Sequence, residues 1–156
     1  MKTIPILDIS RSCNGCTTCC GGWLTGEAHG HKFWPGRKCH FVSENGCSIY
    51  EQRPHDPCHI FKCSWLINTN FPEWLKPSLS KVIFVERQIK GIDYIMAHEA
   101  GGKMDSEVLS WFVMAYVNKQ FPNIAYQING GMNCMGSPEF LKVMLGQGGL
   151  KVDEVV

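Results

Sequence analysis

Eight of the nine cysteines crowd between Cys13 and Cys63, at Cys13, Cys16, Cys19, Cys20, Cys39, Cys47, Cys58 and Cys63, and only Cys134 lies beyond. Thiols this dense can pair as disulfides, hold metal or pack as small apolar groups. Residues Met1 to Asp8 show neither an unbroken apolar core nor a small-residue cleavage site, so they read as no export signal. A chain kept in the reducing cytoplasm uses clustered thiols for metal or chemistry rather than for structural bridges. Nine cysteines also leave one odd, and adjacent Cys19 and Cys20 would each need a separate partner. Apolar packing suits a lone thiol such as Cys134 and not a cluster. The expected ligand is therefore a metal ion or cluster.

The run Cys13-Asn-Gly-Cys16-Thr-Thr-Cys19-Cys20 has two-residue gaps, which let a tight loop turned at Gly15 present successive sulfurs to one ion or cluster. The same spacing opens a ferredoxin run, so it admits zinc and iron-sulfur alike, a 4Fe–4S cluster among them. Adjacent side chains diverge, which assigns Cys19 and Cys20 to different centres or leaves one of them to pack or react. Eight thiols supply two four-thiolate sites, or one four-ligand cluster with four structural or redox thiols. Further on, Glu44-Asn45-Gly46 provides turn chemistry for a hairpin that brings Cys39 and Cys47 together. Asp56-Pro57 reads as an N-cap and first turn of a helix carrying Cys58, His59, Cys63 and Trp65. Arg53 either tempers thiolate charge or is a turn residue in solvent. His40 and His59 each neighbour a cysteine, but a surface or outer hydrogen-bonding role is the ordinary one for them and for His29, His31, His55 and His98. The expected ligands are the eight cysteines alone.

Four segments together resemble the YkgJ-type cysteine-cluster family, a zinc- or iron-chelating group defined by CxxCxxCC. They are Cys13 to Cys20, Cys39-His40, Gly46-Cys47-Ser-Ile-Tyr50-Glu-x-Arg53-Pro54, and Pro57-Cys58-x-Ile-Phe61-Lys-Cys63-x-Trp65. The likeness spans roughly Arg11 to Leu66. It implies a metal or iron-sulfur centre held by these cysteines. Some members of the family look like parts of flagellin lysine N-methylases, but the second half of this chain lacks their length and any glycine-rich cofactor motif.

Lysine plus arginine number 15 against 14 acidic residues, so a net charge of +1 gives no electrostatic footprint for nucleic acid or an acidic membrane. The longest apolar stretch, near Val108 to Val117, is too short to span a bilayer. After residue 70 the patterning becomes ordinary. Lys81 to Ile89 and Ile92 to Ala97 read as strands across a Lys90-Gly91 turn, followed by a helix from Asp105 or Ser106 to about Gln120, a strand over Asn123 to Asn129 and a last helix opening at Ser137-Pro138. Val108, Leu109, Phe112, Val113, Tyr116 and Val117 form a core stripe. Gly130 to Gly136 reads as a turn, with an anion cradle as the alternative. Glu86, Asp93, Glu99, Asp105 and Glu107 read as solvated charge.

The expected fold is α+β: a metal-stapled lobe of short hairpin and helix over 1–70, then a small antiparallel sheet with two helices over 71–156, the two forming one compact domain joined across Asn68 to Pro77. The expected function is cytoplasmic metal binding. A structural zinc module with a protein partner, an iron-sulfur redox protein and a lysine N-methylase-like protein-modifying enzyme are the competing forms.

Overall fold

The computed structural model describes residues 11–12, 16–129 and 131–148. They form two units, one reaching to Ile83 and including Ala100–Gly102, the other comprising Phe84–Glu99 and the chain from Lys103 onward. The first unit thus continues past the Asn68–Pro77 stretch.

The first unit is built mainly of turns. Two short hairpins, β1 (Gly26–Ala28) with β2 (His31–Phe33) and β3 (Val42–Ser43) with β4 (Gly46–Cys47), are antiparallel. The second is the hairpin expected around Glu44-Asn45. The first was not expected, and it turns on His29 and Gly30, both at positive φ. Single helical turns follow, among them α1 (Ser64–Ile67) and α2 (Pro77–Ser80). Ala28, Phe33 and Cys39 form a small buried core against which Cys20, Leu24, Phe41 and Val42 pack. Trp65, Phe71, Leu75, Val82 and Ile83 are also buried in this unit, so its core extends beyond the hairpins.

The second unit holds a four-stranded sheet. Strand β5 (Val82–Ile89) begins in the first unit and continues through β6 (Ile92–Glu99), β7 (Ile124–Ile128) and β8 (Gly131–Met135), hydrogen-bonded in that order. Lys90 and Gly91 both take positive φ, as a two-residue hairpin between right-twisted strands demands. Helix α3 (Ser106–Val117) carries the chain across from β6 to β7, so these two strands run parallel, whereas β7 and β8 are antiparallel. The α+β class holds, with one parallel pair inside it. Side chains alternate across β7: Ala125 packs with Phe140 of α4 (Pro138–Gly148), while Tyr126 meets Phe112 of α3 at 6.5 Å. Phe112 also meets Phe84 edge-on at 5.1 Å.

Three expectations for this unit change. Gly131–Met135 is a strand, because β7 offers it a full antiparallel ladder from Ile124↔Met135 to Ile128↔Gly131; Gly130 lies outside the described residues. In α3, Val108, Phe112 and Ala115 form the buried stripe and Val117 is 58% exposed. Glu99 is not a solvated charge, since its carboxylate accepts the Met104 N–H at 2.7 Å and the Asn129 N–H at 2.8 Å. No helix among the described residues is long and apolar enough to cross a membrane.

Asn123 ties the unit together. It is buried, its Nδ2 donates to Asp93 O at 3.0 Å, and its Oδ1 accepts the Ser137 N–H at 2.9 Å, where α4 begins. Asn123→Ala removes both bonds and leaves two backbone groups without partners, so it is expected to cost about 2 kcal/mol, read by denaturant unfolding of the full chain.

Candidate metal centre

The first turn of the site is set by backbone packing. Between Cys16 and Leu24 the chain coils tightly, with Gly21 N–H to Thr17 O at 2.6 Å and Leu24 N–H to Cys19 O at 2.6 Å. A Cβ on Gly21 would fall 2.5 Å from Thr17 O, so only glycine permits this coil. The Cys39 N–H then bonds to Cys20 O at 2.8 Å, joining the coil to the next cysteine-bearing segment.

Cys58 arrives by a different route. Asp56 is extended (φ −111°, ψ 122°), so the helix expected from Asp56-Pro57 does not form; a single irregular turn over His55–His59 carries Cys58, and Cys63 is left in extended backbone ahead of α1. Cys58 therefore gains no helix dipole. Tertiary packing overrides the local capping signal here: a Cβ on Gly26 would fall 2.5 Å from Pro57 Cγ and 2.8 Å from Phe33 Cζ. Pro57 rests on β1 where that glycine leaves room.

These segments converge. Cys16, Cys19, Cys20, Cys47, Cys58 and Cys63 line one cavity of about 80 Å³, with Arg53, Tyr50, Phe61 and Trp65 completing much of its wall. Cys39 stands behind it in the small core, close enough for its charge to act on Cys58. Cys13 lies outside the described residues. Cys19 and Cys20, expected to diverge, both line the cavity, and Cys20 Sγ donates to Thr17 O at 3.6 Å. No histidine, aspartate or glutamate among the described residues lines the cavity. Cys134 sits apart, half-buried on β8 opposite Ala125.

Three of these thiols resist ionisation. The Cys20 thiol beside it, then burial, pushes Cys19 far above the ordinary thiol range. Burial, with the added charge of Cys19 and Cys16 and against nearby Leu66 backbone, pushes Cys63 up to about 11. Burial and the charges of Cys39 and Cys47 raise Cys58, while the Arg53 guanidinium acts in the opposite direction. For these three the thiolate is disfavoured by burial and by neighbouring sulfurs, the conditions that a bound cation relieves.

Two sealed donors point the same way. Ser64 Oγ, next to Cys63, and Trp65 Nε1, on a side chain that lines the cavity, are buried without a hydrogen-bond partner among the described residues. Such groups each cost roughly 1 to 3 kcal/mol unless an acceptor meets them. The donor set fits a thiophilic metal or cluster in kind: six thiols, no carboxylate, and two free N–H or O–H donors for sulfur. It does not form a closed single-ion site, because no three cysteine, histidine or acidic side chains among the described residues are disposed to hold one metal ion.

Arg11 was not anticipated as part of the site. Its side chain is 6% exposed and donates to Trp65 O at 2.6 Å, Asn68 O at 3.1 Å and Phe71 O, with its guanidinium 4.6 Å from the Trp65 ring centre and Nε 3.5 Å from Glu73. It clamps the head of the cysteine run to the segment that follows Cys63. A basic residue two positions before CxxCxxCC and a tryptophan two positions after Cys63 were the signals in the sequence. No protein-family model, curated protein or solved structure matches this chain.

Two outcomes are expected. Arg11→Ala forfeits several bonds to a buried charge and lowers stability by about 3 kcal/mol in denaturant unfolding. In metal-free protein, folding favours protonated Cys63, so its stabilisation is whole below 9.0 and lost as pH rises toward about 11. Alkylation of Cys63, followed by peptide mass spectrometry, is expected to stay slow at neutral pH and accelerate across that window.

Proposed function

We propose that the chain is a cytoplasmic metal-binding protein of the YkgJ type, holding zinc or an iron-sulfur cluster through its clustered cysteines. The observation that supports this reading is the convergence of six cysteines on one cavity with no carboxylate or histidine among its described lining residues. Cys16, Cys19, Cys20, Cys47, Cys58 and Cys63 would supply the sulfur donors, with Cys13 and Cys39 completing the expected set. None of the eight described cysteines is in a disulfide, as metal ligation requires.

Bound metal would supply positive charge to thiols that otherwise stay protonated, so loading releases protons and affinity rises with pH. It would also cross-link the coil at Cys16–Cys20, the β4 hairpin and the Cys58–Cys63 segment, giving the turn-rich lobe a staple. Arg53 would offset thiolate charge from the cavity wall.

A second reading, an iron-sulfur redox protein, draws on the number of the sulfurs. A lone zinc ion gathers four sulfurs at about 2.3 Å around one point. Six cysteines line the cavity, more than one such ion takes, and four of them would serve a cluster equally.

Metal and acid-labile sulfide analysis, with a visible spectrum, of protein purified without oxygen from cells supplied with iron and zinc tests both readings. Matching iron and sulfide support the redox form, and colourless protein with tightly held zinc supports the structural form. Absence of both metals sinks the proposal. Cys63→Ser is expected to lose most of the bound metal, and Cys134→Ser none.

A further inference from the structure

A second concavity of the first unit, about 440 Å³, lies on the hairpin that runs from His31 to His40. Among the described residues its lining includes Lys32, Arg37 and Lys38 and no carboxylate. The nearest acid by register is Glu27, which pairs with Lys32 across the β1–β2 ladder and is not part of the lining. Three permanent cations on one short hairpin repel each other, and the chain as a whole carries only +1. A bound anion of matching charge turns that repulsion into attraction.

The groove is also shaped. Trp34 and Arg37 close the hairpin through reciprocal backbone bonds, Trp34 N–H to Arg37 O at 3.2 Å and Arg37 N–H to Trp34 O at 2.8 Å. The Arg37 guanidinium lies 4.9 Å from the Trp34 ring centre. Stacking of this kind orients the guanidinium plane and leaves its N–H edge for two-point contact with an oxyanion. At the other end, His31 and His40 stack face to face, with centroids 4.0 Å apart and planes within 8°, and Phe41 stands edge-on to both. Both imidazoles are exposed. A planar aromatic platform thus sits beside the cation cluster.

We propose that this groove binds a phosphorylated small molecule, a diphosphate by charge match, with Arg37, Lys38 and Lys32 taking the phosphate oxygens beside the stacked His31–His40 pair. The cations and the stacked imidazoles of this groove are placed by the hairpin itself and not by metal in the cysteine cavity. A diphosphate could arrive as the inorganic ion or on a nucleotide, and a planar base gives the imidazole pair something to stack on.

The test is calorimetry, with histidine imidazole signals followed by NMR, on the full chain titrated with inorganic pyrophosphate, adenosine diphosphate and a single-stranded oligonucleotide. The expected result is saturable one-to-one binding that shifts His31 and His40 and leaves His98, in the other unit, unmoved. Arg37→Gln and Lys38→Gln should each weaken it about tenfold, and Lys90→Gln should not. Equal affinity for the two diphosphates assigns the site to phosphate alone; tighter binding of the nucleotide adds base stacking. No saturable binding of either, or binding undiminished in both groove variants, overturns the proposal. So does an oligonucleotide that binds in the groove far more tightly than both, since the ligand would then be a polymer. Metal analysis of the same sample reports separately on the cysteine centre.

Discussion

Six thiols share one apolar cavity, and the first unit is arranged around that convergence. Burial alone disfavours a thiolate, and each neighbouring sulfur that ionises makes the next ionisation harder. A cluster of neutral thiols is tolerable but contributes little cohesion, because S–H is a weak donor and sulfur a weak acceptor. The proposed metal would add cohesion by replacing the protons. The hairpins and single turns around the cavity are short, and they bring sulfurs from separate segments to one wall.

Much of the remaining cohesion comes from groups placed around the sulfurs. Arg11 spans three carbonyls and a tryptophan face, so one side chain holds the entrance of the cysteine run against the segment after Cys63. Gly21 and Gly26 act by absence of a side chain, one allowing the coil at Cys16–Cys20 to close and the other letting Pro57 lie on β1. These are close-packing solutions, and they fix where the sulfurs stand more tightly than helix or strand propensity would.

The density of cysteine was legible in the sequence, because composition carries that information directly. The second unit was largely legible for a similar reason: the β-branched runs at β5 and β6 and the Ser137-Pro138 opening of α4 are local signals, and Ser137 Oγ does accept the Phe140 N–H at 3.2 Å. What was not legible was tertiary. Asp56-Pro57 carries a helix-start signal that the packing of Pro57 on Gly26 overrides. Gly131–Met135 looks like a turn until β7 supplies a ladder. That Cys19 and Cys20 both line the cavity depends on a coil whose geometry is set by Gly21, four residues from the carbonyl it approaches.

Cys39 links the two concavities of the first unit. Its side chain packs with Ala28 and Phe33, it lines the basic groove, and its charge acts on Cys58 at the cysteine cavity. His40 follows it directly in the chain, and Cys20 O holds its backbone N–H. A change of charge at the sulfurs is therefore felt at the wall of the groove through one residue and not through a rearrangement of the fold. An anion seated near Cys39 would disfavour additional thiolate charge, and a divalent ion held by four thiolates, a centre of net negative charge, would in turn weaken the anion. By linkage the two effects must be equal in free energy. Electrostatic coupling of that sign needs only proximity, which a lobe this small cannot avoid.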